Sequence, residues 1–109
     1  MSELLRLCWW LLVAHAVCDF PLQGDFLARG KNNRLPLKGV PWWICLTAHA
    51  VIQGAGVALV TGSPLLGLCE AGLHALIDYG KCSGWYGFAA DQGLHLAAKL
   101  LWVDLCVMG

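Results

Sequence analysis

Four long stretches of the chain are apolar almost all the way round, and each is bounded by residues that start or stop a helix. The first, from about residue 4 to 20, reads LLRLCWWLLVAHAVCDF and meets Pro21, which has no backbone N–H with which to continue a helix. The second covers about 40–60, opened by Pro41 and by Trp42 and Trp43, a pair suited to a membrane interface. The third covers about 64–79, where Pro64 fits a first helical turn and Gly80 a stop. The fourth covers about 88–107. Each approaches the ~20 residues that cross a bilayer, although the first and third are short. A water-soluble bundle needs a polar outer face on every helix, and WWICLTAHAVIQGAGVALV has none. The pattern therefore predicts an all-α protein, a single integral membrane domain over residues 1–109 built as a four-transmembrane-helix antiparallel bundle.

Composition strengthens that expectation. Apolar residues make up 59% of the chain and charged residues 13%, where soluble domains carry about a quarter charged residues. No small-residue cleavage site follows the first stretch, so it is read as a retained span and not as a signal peptide. Formal charge is zero and the basic residues gather in one loop, a pattern that excludes a nucleic-acid partner. That loop, 22–39, holds Arg29, Lys31, Arg34 and Lys38, four of the seven basic residues. The positive-inside rule makes it cytoplasmic, in a multi-pass inner-membrane protein, and puts both termini and the TGSP turn at 61–64 outside. Six cysteines show no CxxC spacing and are expected to pack as small apolar groups without disulfides.

Polar residues inside the spans carry the candidate chemistry. His15 and Asp19, and His74 and Asp78, repeat one motif on two spans that run toward the cytoplasm. Asp91 and His95 repeat it in reverse order on the fourth span, which runs the other way, so that each aspartate lies nearer the loop and each histidine one turn deeper. His49, followed by Gln53, supplies a fourth imidazole. A spacing of four puts each pair on one helix face, and ionisable groups in a bilayer are costly unless they face the bundle interior. Ala50, Gly54 and Ala58, with Ala71, Ala75, Gly93 and Ala97, make close helix approach feasible.

Imidazole and carboxylate together are the ligand set of zinc, iron and manganese, and bundles build such sites from inward residues three or four apart. The candidate metal ligands are His15, Asp19, His49, His74, Asp78, Asp91 and His95, more than one tetrahedral zinc needs, so either two divalent ions bind or some aspartates stand behind the histidines and orient them through the other ring nitrogen. The alternative is a hydrogen-bonded network that glues the helices. As an enzyme, the site would hold a metal-bound water, with Asp19, Asp78 or Asp91 as general base and Lys81 or Lys99 stabilising an anion. That makes it a metal-dependent hydrolase acting on an amphiphilic, lipid-like substrate, a lipid phosphate or acyl ester, approached from the cytoplasmic interface. As a carrier, the same ladder would pass protons or divalent cations, and four short helices would then need a homo-oligomer. As an accessory protein, the polar layer would fix packing and loop 22–39 would be the contact surface.

HxxxDxxxQ at 15–23, HxxxDxxK at 74–81 and DQxxH at 91–95 resemble the small bacterial and phage membrane proteins grouped as domain of unknown function 3307. The resemblance covers most of the chain and implies a polytopic membrane protein. It implies His15, Asp19, Gln23, His49, His74, Asp78, Lys81, Asp91, Gln92 and His95 as characteristic positions, and it brings no substrate. In ligand style alone the spans are similar to membrane-bound metal-dependent hydrolases, which is analogy.

Overall fold

The computed structural model describes residues 2–35 and 37–108. Among them the fold is all-α, with five helices: α1 Glu3–Asp19, α2 Gly24–Gly30, α3 Trp42–Thr61, α4 Pro64–Cys82 and α5 Phe88–Met108. Four of these are the expected apolar segments, displaced by at most three residues at any end. The fifth, α2, lies in the stretch expected to be loop, and corrects that expectation.

Local chemistry explains the boundaries. The Ser2 hydroxyl accepts from the Leu5 N–H at 3.2 Å and opens α1. At its other end α1 stops two residues before Pro21, and the Gln23 side-chain amide donates to the Asp19 carbonyl at 2.9 Å. The chain then turns by 82° into α2, whose two turns carry an Asp25–Arg29 pair at 3.1 Å. Pro41 precedes α3 as an extended cap and lies outside the helix. Gly62, in the left-handed region at φ 74°, ends α3 by donating to the Ala58 carbonyl, and Ser63 with Pro64 starts α4 at once. Gly80 does not stop α4, which runs on to Cys82. Its missing side chain serves packing instead: a Cβ there would lie 2.7 Å from the Tyr86 hydroxyl and 2.8 Å from the Trp85 ring.

Helices α3 and α4 touch backbone to backbone. A Cβ on Gly54 would lie 2.5 Å from the Gly67 carbonyl oxygen, and one on Gly67 would lie 2.6 Å from that of Gly54, so only glycine permits this approach. Helix α1 packs on α3, α5 closes against α1 and α4, and α2 folds back onto α3.

The interior has two halves. Toward the chain termini, Leu7, Leu11, Val57, Ala98, Trp102 and Val103 form one apolar core. Toward the loop end the core is polar: His15, Asp19, Lys31, His49, Gln53, Glu70, His74, Asp78, Asp91, His95 and Lys99 are all buried. Among the described residues one helix, Trp42–Thr61, is by itself long and apolar enough to cross a membrane, and α1 with α2 passes the same test as a bent pair. Helices α4 and α5 each carry three charged residues, Glu70, Asp78 and Lys81 on one and Asp91, Lys99 and Asp104 on the other. All six cysteines are free thiols.

Candidate metal centre

Each of the four long helices delivers one imidazole to the polar half, because the histidine sits on the stripe that faces the bundle axis. His49 and His74 are fully buried, at 0% exposure, and their Nε2 atoms lie 3.2 Å apart. The Gly54–Gly67 contact one to two turns away makes this distance possible. Into the same space come two carboxylate oxygens. Asp19 Oδ1 is 3.2 Å from His49 Nε2 and 3.9 Å from His74 Nε2, and Asp78 Oδ2 is 3.4 Å from both. The second oxygen of Asp78 turns the other way and meets His95 Nε2 at 3.0 Å, where Asp91 Oδ1 also lies, 3.4 Å from that nitrogen.

Three groups of buried ligand atoms result, each with its members within 4.8 Å of one another: Asp19, His49 and His74; Glu70, His74 and His95; and Asp78, Asp91 and His95. Six of the seven sequence-derived candidates fall in these groups. His15 reaches only the edge of the cluster, where its Nε2 faces Gln92 Oε1 at 3.2 Å and stands 4.0 Å from Asp19 Oδ2.

The aspartates do not hold the imidazoles from behind. They face the same Nε2 edge that the histidines present to one another. The residue behind His74 is Glu70, whose Oε2 accepts from His74 Nδ1 at 2.8 Å. Its other oxygen accepts from Trp102 Nε1 at 2.8 Å and lies 3.0 Å from the Lys99 ammonium. With its Nδ1 proton engaged, a neutral His74 keeps its Nε2 lone pair, aimed at two carboxylate oxygens and a second imidazole. That crowding of acceptors is relieved either by an Nε2 proton on His49 or by a cation between them. His15, His49 and His95 have no hydrogen-bond partner at Nδ1.

Lysine placement departs from expectation. Lys81 is exposed, on the last turn of α4 where the polar stripe leaves the bundle, and takes no part in the cluster. Lys31 comes in its place. At the end of α2 it is buried, with Nζ 2.9 Å from Asp78 Oδ2. Nothing in the local sequence separates Lys31 from the other basic residues of its segment, because the fold-back of α2 is what aims it inward. Glu70 had a legible signal, lying four residues before His74 on the same stripe. Glutamines knit the periphery: Gln92 donates to Asp91 Oδ2 at 3.1 Å, and Gln53 and Gln92 each reach an Asp19 oxygen at 3.4 Å. At the loop end, burial pushes the Cys82 thiol above its ordinary range, which keeps it protonated.

The family model for the Protein of unknown function (DUF3307) matches residues 7–107, and the chain belongs to that family. The match spans every residue of the cluster, from His15 to Lys99. No curated protein and no solved structure matches the chain.

Proposed function

We propose that this member of the DUF3307 family is a four-span membrane protein whose buried cluster holds a divalent metal ion and hydrolyses an ester bond of an amphiphilic substrate. The observation that carries the metal is the convergence of His49 Nε2, His74 Nε2, Asp19 Oδ1 and Asp78 Oδ2, with five pairwise distances of 3.2–3.9 Å. Ligands at about 2.0–2.1 Å in a tetrahedron around zinc stand about 3.3 Å apart. Charge supports the same reading. Four carboxylates, Asp19, Glu70, Asp78 and Asp91, are buried with two ammonium groups, Lys31 and Lys99, so the formal count, with histidine taken as neutral, is two negative charges. One divalent cation cancels them.

The distribution of residues supports a membrane setting. Charged groups are buried at 1–9% exposure while Leu59 and Leu68 stand 85% and 71% exposed, the reverse of a water-soluble domain. Exposed charges fall at the ends, Glu3, Arg6 and Asp104 at one and Asp25, Arg29, Arg34, Lys38 and Lys81 at the other. The long axis of 47 Å exceeds the ~30 Å hydrocarbon layer. The basic end is assigned to the cytoplasm. In the hydrolytic reading a divalent ion held by these ligands would supply an acidified water, the aspartates of the cluster would stand ready to take a proton, and Lys31 at the loop-side rim would offer a cation to a developing anion.

Elemental analysis of the full chain purified in detergent tests the metal, with His74→Ala as control: at least one ion per chain is expected, lost in the variant. Hydrolysis of tailed chromogenic phosphate and acyl esters tests the reaction. Stoichiometric metal without turnover of either probe overturns the hydrolase and leaves a cation-binding protein. Absence of metal leaves a packing network, favoured by the Lys31–Asp78 and Lys99–Glu70 pairs, in which each histidine change costs about 0.6 kcal/mol.

A further inference from the structure

The imidazoles of His74 and His95 are stacked, with ring centroids 4.0 Å apart and planes inclined by only 27°. A nitrogen lone pair lies in the plane of its ring, so two nearly parallel rings at this separation aim at two points and not at one. Asp78 matches that division, since Oδ2 faces His49 and His74 while Oδ1 faces His95. Asp91 Oδ1, on the His95 side, is buried and makes no aligned hydrogen bond, with His95 Nε2 at 3.4 Å directed to Asp78 Oδ1 at 3.0 Å, although Asp91 Oδ2 accepts from Gln92. A buried carboxylate oxygen without an aligned donor is costly unless a cation meets it.

We propose that the cluster binds a second divalent ion between Asp78 Oδ1, Asp91 Oδ1 and His95 Nε2, with Asp78 bridging it to the ion held by Asp19, His49 and His74. The proposal rests on the metal reading above and deepens it. A bridging carboxylate and ligands from stacked rings set the ions about 4 Å apart, within the range of two-metal hydrolytic centres. Charge then defines the substrate class. Two dications with Lys31 and Lys99 exceed the four carboxylates by two positive charges, a surplus that a bridging hydroxide and one anionic substrate oxygen cancel. That favours a phosphate ester over a neutral acyl ester.

The test titrates the metal-stripped full chain in detergent with Zn²⁺, in the wild-type protein and in Asp91→Asn. Two ions per chain are expected in the wild type and one in the variant. A second measurement needs no variant: the Mn²⁺-loaded wild type should give an exchange-coupled paramagnetic resonance spectrum in place of the six lines of an isolated ion. One ion per chain and an isolated Mn²⁺ signal overturn the second site and leave the single-ion reading intact. No ion overturns both. Two ions retained in an inserted, folded Asp91→Asn protein overturn the assignment of Asp91.

Discussion

Replacing Glu70 by glutamine separates the metal centre from mere packing, because it changes charge without changing shape. Glu70 is 1% exposed and holds three groups at once: His74 Nδ1 at 2.8 Å, Trp102 Nε1 at 2.8 Å and the Lys99 ammonium at 3.0 Å. The amide oxygen of glutamine can keep either His74 or the Trp102 and Lys99 pair that shares Oε1, and its NH₂ then faces a donor at the other position. Two consequences follow with different magnitudes. Lys99 is left as an unpaired charge at 3% exposure, a loss of about 3–5 kcal/mol for a buried pair broken on one side. His74 loses the carboxylate that orients it and raises its basicity, which lowers metal affinity about 10–100-fold, or about 1.4–2.7 kcal/mol. Adding Lys99→Met removes the orphaned charge and should restore most of the stability while leaving the affinity loss in place. Chelator-competition titration with Zn²⁺ reads affinity, and detergent-resistant thermal unfolding reads stability. If Glu70→Gln binds Zn²⁺ as tightly as the parent, His74 is not a ligand held by Glu70 and the centre as described is wrong. If the double variant regains affinity together with stability, Glu70 acts through Lys99 alone.

Four further outcomes are expected. A reporter placed after Lys38 should read cytoplasmic and one appended to the carboxyl terminus external, and both on one side would show that the number of spans between them is even and not the expected three. Lys31→Met should destabilise the metal-free protein by removing the partner 2.9 Å from Asp78 and be offset by saturating Zn²⁺. Lys81→Ala, on an exposed last turn, should stay within about 0.5 kcal/mol in the same unfolding assay. Gly54→Val should force α3 from α4, where a Cβ would already lie 2.5 Å from the Gly67 carbonyl. That overpacking costs about 1–3 kcal/mol, and Zn²⁺ binding should fall with it because His49 and His74 sit on the two helices being separated.

Much of the site was written locally. Helical periodicity is a short-range property, so the four-residue spacings His15–Asp19, His74–Asp78 and Asp91–His95, one histidine on each long apolar segment, are enough to put those groups on inward faces at matching depth. The stops at Pro21 and Gly62 are equally local, since each follows from one residue's backbone. What the sequence could not decide is how helices turn and close on one another, because that depends on contacts between residues far apart in the chain. Lys31 meets Asp78 across 47 positions only because the segment after Pro21 folds back as α2, while Lys81, three residues from Asp78, points away. His15, first in the repeated motif, is left at the cluster's edge, while Glu70 takes the place behind His74 that spacing gave to an aspartate. Asp78 alone turns one oxygen to each side of the cluster, because only the packed arrangement of α3, α4 and α5 surrounds it with three imidazoles.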